Sequence, residues 1–222
     1  MRVEISAGLI PVLRLGVLRL EGMRLPGDNG DALWRELETA AAKLGQDHAG
    51  RTPGEIPEVQ ETRRLYRAVG IDPTKTRPSS EALLRRAIQG KGLYRVHPLV
   101  DLFNLASLVS QLSVGLYDES RIEGDLVIVR RGDEGWGFEG IRRGRINVGG
   151  RLCLADEAGP FGSPTADSAR TSVEGEVPRA LAVFFQPRIG DLARIDGALD
   201  HAADLADRHL GARVAGRRIV EG

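Results

Sequence analysis

The stretch SVGLYDESRIEGDLVIVRR, Ser113–Arg131, decides the fold class. Upstream of it, apolar residues recur every three or four positions. From Ser113 they crowd into short runs, SVGLYD and GDLVIVRR, that suit strands, with Gly124 and Asp125 as the turn between them. The period therefore changes just after Gln111, from helical to extended. Before that point, HPLVDLFN (His97–Asn104) opens a helix. Pro98 is a favourable first residue, and Leu99, Leu102, Phe103 and Ala106 supply a buried stripe. The preceding TRPSSEALLRRAIQGKG (Thr76–Gly92) reads as another helix. Pro78 keeps the residue before it out of helix, Ser79 or Ser80 caps the helical turn next to it, and Glu81 sits at the positive end. Gly90 and Gly92 end it.

Two earlier helices are expected. Asp31–Leu44 carries a stripe of Leu33, Leu37, Ala40, Ala41 and Leu44, and Pro57–Val69 is stopped by Gly70. Residues 45–57 form a polar loop between them. The first twenty-odd residues read as strands, with Val12, Leu13, Leu15, Val17, Leu18 and Leu20 interrupted by Arg14 and Arg19. Beyond Arg131, WGFEGI, INVGG and RLCLAD form a glycine-punctuated meander. PRALAVFFQ is an unbroken apolar run that suits a strand buried on both faces. Residues 189–210 read as the last long helix, and RRIVEG as a short final strand. Helices first, strands in the middle and a closing helix make an α+β chain with a largely antiparallel sheet, not a series of βαβ units.

Composition narrows the function classes. The chain has 222 residues, with 31 Lys and Arg balanced by 31 Asp and Glu. That balance argues against a generally basic nucleic-acid binder, but the basic residues cluster. Arg85, Arg86, Lys91 and Arg95 form one group, Arg142, Arg143 and Arg145 a second, and Arg213, Arg217 and Arg218 a third. Such clusters are ordinarily solvated surface. A single cysteine, Cys153, rules out a disulfide framework or a cysteine metal site, and suits a reducing compartment. No apolar run approaches the roughly 20 residues of a membrane span, and the N-terminus lacks a signal-peptide pattern. The expectation is a cytoplasmic protein with no membrane contact, no cofactor and no metal. GWGFEG, Gly135–Gly140, fits G-x-G-x-x-G literally. It is rejected as a dinucleotide site because turn and strand residues come after it where a helix is needed.

The polar residues of the apolar helix are the first candidates for a site. Asp101, Asn104 and Ser107 are spaced by three and lie roughly along one helix face. A buried carboxylate or amide left unpaired costs ~1–3 kcal/mol, so they either tie the helix to neighbouring backbone, with Arg77 as a partner, or line a polar cleft. His97 precedes the same helix. DSARTS, Asp167–Ser172, gathers hydroxyls and an arginine. It suits either an anion-holding loop or a turn in which Asp167 bonds neighbouring amides.

The order and spacing of HPLVDLFN, of Asp118 in GLYD, of IEGDLVIVRRGDE and of DSARTS resemble the editing domain of the bacterial phenylalanyl-tRNA synthetase beta chain, its third-and-fourth-domain module. Asp101 and Asn104 match that family's Val-Asp-x-x-Asn helix, and Tyr117-Asp118 its aromatic-Asp pair. GIDPTKTRPSSEALLRR resembles free-standing relatives of the module. The resemblance covers residues 63–172 best. It treats the chain as one domain of residues 1–222, with a strand-helix part at 1–62 and a closing strand and helix at 173–222.

The resemblance implies an α+β fold with a mostly antiparallel, sandwich-like β core flanked by helices. It implies aminoacylated tRNA as partner, beside a synthetase or other protein, and hydrolysis of a mischarged aminoacyl ester by water. Asn104, His97 and Thr171 would be the catalytic set, and Arg77, Ser79, Asp101, Asp118 and Arg170 would bind substrate. Two departures stand out. Gly115 takes the place of the family's histidine, and PFGSPT (residues 160–165) holds no acid to read a tyrosine hydroxyl. They favour the alternative of a non-catalytic RNA-binding or protein-interaction module that kept the fold. An esterase or amidase acting on a small amino-acid derivative is a third reading.

Overall fold

The computed structural model describes residues 1–222. Its organising element is the apolar run already singled out, the strand Arg179–Pro187, which is buried from Ala180 to Pro187. Its side chains alternate between two cores. Ala180, Ala182 and Phe184 join a cluster shared with helices, whereas Leu181, Val183 and Phe185 join one shared with a second sheet. The period of two thus places this strand in the middle layer of three.

The middle layer has four strands. We name the strands in chain order as β1 (Arg2–Ile5), β2 (Leu13–Glu21), β3 (Ser113–Asp118), β4 (Leu126–Arg131), β5 (Gly137–Gly140), β6 (Gly144–Asn147), β7 (Leu152–Asp156), β8 (Gly159–Ser163), β9 (Ala166–Asp167), β10 (Arg179–Pro187) and β11 (Arg213–Val220). The middle sheet runs β11-β2-β10-β3, antiparallel throughout, with Val183 opposite Gly115 on one side and Val17 on the other. The outer sheet runs β1-β4-β7-β8-β9. Its one parallel pair, β1 with β4, departs from the antiparallel pattern. β5 and β6 form a separate hairpin, so Gly137 and Gly140 of the G-x-G-x-x-G match lie in a strand and no helix comes after it.

The third layer is helical: α1 (Asp31–Asp47), α2 (Pro57–Ala68), α3 (Ser79–Ile88), α4 (Pro98–Ser110) and α5 (Leu192–Leu210). α4 lies among α1, α3, α5 and β3, which explains why it is apolar nearly all round. Phe103 on α4 meets Phe184 on β10 edge-on, with ring centroids 6.1 Å apart. α5 can lie close on β2 because of Gly16, where a Cβ would come within 2.9 Å of Ile195 Cγ1. Gln111, with φ of 56°, ends α4 in the left-handed conformation, and its carbonyl accepts from Thr62 Oγ1 of α2 at 3.2 Å.

Several sequence expectations need correction. The turn between β3 and β4 does not pair them. Gly124, with φ of 79°, does turn the chain, but the two strands enter different sheets. Pro78, not a serine, is the N-cap of α3. Ser79 already has helical geometry, and its hydroxyl makes no capping bond. α1 runs on to Asp47 into the expected loop, and a short 3-10 turn at Pro53–Glu55 is closed by Glu55 Oε2 accepting from the Thr52 amide at 2.9 Å. α5 begins at Leu192, because Asp191 caps it through Ala193 N at 3.0 Å. The final strand is eight residues long and closes the β2 edge.

Candidate functional site

The start of α4 is held by its own polar residues. His97 is the N-cap, with Nδ1 accepting from Leu99 N at 3.2 Å. Its Nε2 therefore carries the proton and donates to Gly175 O at 3.0 Å. Asp101, 3% exposed, accepts from Val96 N through Oδ1 at 3.1 Å. Burial raises its pKa, opposed by the bond from Val96 and by the nearby Arg95. Together the two side chains satisfy two amides around the helix start. Arg77 is not the partner of Asp101. It faces Glu81 Oε1 at 3.4 Å, and Arg63 also holds Glu81, through Nη2 at 2.6 Å and Nε at 2.7 Å. Ser107 bonds Leu112 O at 2.7 Å. Asn104, half-buried on the next turn of α4, makes no side-chain hydrogen bond within the chain.

The loop DSARTS is an internally bonded turn. Ser168 Oγ accepts from Thr171 N at 3.2 Å and lies 3.0 Å from Thr171 Oγ1. The Thr171 carbonyl takes the Asp118 amide at 2.9 Å. Asp118 in turn accepts from Ser120 N and Oγ at 3.0 and 2.6 Å and faces Arg121. Arg170 forms a two-pronged pair with Asp156, both contacts at 2.9 Å, and also donates to Arg121 O. The fork geometry that suits a substrate carboxylate is thus filled by a carboxylate of the chain itself. The structure places Asp118, Arg170 and Thr171 around the turn at residues 168–171, and separately ties His97, at the start of α4 with Asp101, to Gly175 O. It leaves Arg77 beside Glu81 and Asn104 midway along α4.

Sequence reasoning passed over the interior between the two sheets. Tyr117 is fully buried, edge-on to Phe161 at 5.0 Å. Its ring lies between Gly115 of β3 and Gly162 of β8, and a Cβ at either glycine would collide with the phenol. Beyond the ring stands Asp167, whose carboxyl faces the hydroxyl. The two form no hydrogen bond of good geometry, since Tyr117 Oη and Asp167 Oδ1 both lack a partner. Burial pushes the Asp167 pKa up to about 7, and burial together with the Asp167 charge raises that of Tyr117 well above its usual value.

Asp167 therefore does not bond neighbouring amides, as the turn pattern suggests. Ser168 does that. Next to this pair, Tyr66 Oη donates to Pro164 O at 2.7 Å and meets Ser113 Oγ at 3.0 Å, while the buried Ser79 hydroxyl has no partner. The available signal was the pair of glycines, Gly115 and Gly162, at places where the resemblance leads one to look for polar side chains.

No group of three His, Cys, Asp or Glu side chains is placed to hold a metal ion. Cys153 is buried on β7, and burial pushes its thiol up to about 12, far from a nucleophilic thiolate. No helix is long and apolar enough to cross a membrane.

A family model described as the B3/4 domain matches residues 61–183, more than half of the chain. The chain belongs to the B3/4 domain family. Its fold is similar to that of an N-terminal fragment of the phenylalanyl-tRNA synthetase beta-subunit from Pyrococcus horikoshii. The TM-score is 0.52 and the identity 10%, over 98% of this chain and 53% of that one. The likeness is one of fold, and this chain spans about half the length of that fragment. No curated protein matches the sequence. The protein is thus a B3/4 domain of α+β architecture, with a fold similar to that of the beta-subunit fragment. The matched region begins within α2 and ends inside β10. β2 lies outside it, yet pairs with β10 along its whole length.

Proposed function

We propose that this B3/4 domain binds tRNA as a module of the synthetase-editing type, with the interior between its sheets closed by its own Tyr117 and no ester hydrolysis. The observation that carries the reading is the boxed phenol. Gly115 and Gly162 leave space, and Tyr117 with Phe161 fills it. The engagement of His97, Asp101, Asp118, Arg170 and Thr171 in bonds within the chain supports the same view.

A second reading keeps the hydrolysis of a mischarged aminoacyl-tRNA. Water would attack the acyl carbon, the ribose oxygen would leave with a proton, and free amino acid and tRNA would result. Asn104, whose side chain makes no hydrogen bond within the chain, favours this reading as a group able to orient water or the aminoacyl end. Asp167 favours it as an acid that burial brings near neutrality.

The test measures deacylation and gel-shift binding together, using Tyr-tRNA and Phe-tRNA of the phenylalanine type and other mischarged tRNAs. Binding that weakens as salt rises, with ester loss no faster than in buffer, supports the first reading. Acceleration by the wild type that Asn104→Ala abolishes overturns it in favour of the second.

A further inference from the structure

The connection between α3 and α4 carries a feature that the sheet interior does not explain. Residues Lys91–His97 have no regular structure. They present Tyr94 with 71% and Val96 with 67% of their surface exposed. An exposed phenol ring gains little from folding, since its apolar area stays in water. Arg86 lies over one face of that ring, 4.1 Å from its centroid, fixed by donation from Nε to Gly92 O at 3.0 Å. Arg95 lies 5.3 Å over the Trp34 ring of α1 and is held by Asp31 at 2.7 Å. Between α1 and this connection is a cleft of about 550 Å³, walled by Asp31, Trp34, Arg35, Leu93, Tyr94 and Arg95. Arg35 and Lys91 stand at this surface without an ion-pair partner. The acids nearby are Asp31, which Arg95 engages, and Glu38, in the adjoining hollow with Arg86 and Lys91.

We propose that this surface is a stacking platform for an unpaired stretch of RNA. The proposal rests on the reading of the domain as a tRNA-binding module and assigns it a contact surface. Tyr94, with Arg86 over one face and most of its surface in water, offers its other face to a base, and Trp34, packed partly on the core with Arg95 over its ring, forms the aromatic wall beside it. The cleft is open to solvent, so a base can reach its aromatic walls. Arg35 and Lys91 provide the charges for the phosphates on either side. A duplex hides the faces of its bases, so the platform favours single strands.

The test uses Trp136→Phe as the parent, which leaves Trp34 as the reporter of the two tryptophans. The probe is a 12-nucleotide single-stranded RNA of mixed sequence, compared with the same strand annealed to its complement. The expected result is saturable quenching of Trp34 by the single strand and weaker binding of the duplex. Tyr94→Ala should weaken single-strand binding by about tenfold or more. Arg35→Ala and Lys91→Ala should each lower the slope of log K against log salt by about 0.7. Tyr94 is exposed, so an unchanged Tm confirms that its variant is folded.

Absence of quenching, equal binding by Tyr94→Ala and parent, or equal affinity for duplex and single strand would overturn the platform. If intact tRNA still binds in that case, the tRNA-binding reading stands and only its location is wrong. If tRNA also fails to bind, both fall.

Discussion

Replacing Gly115 by alanine tests whether the sheet interior is closed by Tyr117. Gly115 has no positive φ, so its backbone tolerates a side chain. In open space the change would stabilise the fold by ~0.4–1 kcal/mol through the unfolded chain. Here a Cβ would lie 2.8 Å from Tyr117 Cζ and 3.0 Å from Cε2. Carbon atoms prefer roughly 3.5–4.0 Å. The ring cannot retreat, because Phe161 meets it edge-on and a Cβ at Gly162 would already lie 2.6 Å from Cζ on that side. Overpacking of this kind costs ~1–3 kcal/mol, which outweighs the entropic gain. In a Tyr117→Leu background the clash is gone, and the same alanine should become neutral or slightly stabilising. Urea unfolding of the four proteins of the cycle gives the coupling from midpoints at a common m-value. A coupling of about 1 kcal/mol or more, with alanine costly only beside the tyrosine, is expected. Equal cost in both backgrounds would refute the packing argument, and with it the claim that the interior is closed.

Three further outcomes rest on named contacts. The Asp167 carboxyl is raised by burial to about 7, from an ordinary 3.8. Its contribution to stability is therefore complete below about pH 4 and lost as pH rises through 7. The Tm of the wild type relative to Asp167→Asn should fall across that window, and a flat difference would contradict the assignment. Glu81→Ala leaves Arg63 without the carboxylate that its Nε and Nη2 contact, and Glu81 is 1% exposed. A loss of ~3–5 kcal/mol in denaturant unfolding is expected, and a loss under ~1 kcal/mol would show that the pair is idle. Gly16→Leu forces a side chain into Ile195 and Leu199, so α5 should loosen from β2, seen as faster amide exchange in both elements. Unchanged protection there would show that α5 does not depend on the close approach.

The sequence by itself determined the elements and most of their faces. Leu33 and Leu37 at helical spacing, Pro98 as the first residue of α4, and Gly70 after α2 (φ of 82°) reflect local rules. The unbroken apolar run in PRALAVFFQ announced that β10 has two buried faces, because side-chain period is a property of one strand. The resemblance in HPLVDLFN and GLYD led to the B3/4 family for the same reason, since order and spacing are written along the chain.

Tertiary structure decided the partners. A strand's pattern states which face is apolar but not which strand lies beside it, so SVGLYD and GDLVIVRR read as strands joined by a turn, and only the fold puts them in separate sheets. β1 reaches β4 across more than a hundred residues. The site shows the same division. The bond of His97 to Gly175 and the placing of Tyr117 beside Asp167 bring together segments far apart in sequence. Residue type announces that a polar group needs a partner, but only the folded chain settles whether that partner is a substrate or the protein itself.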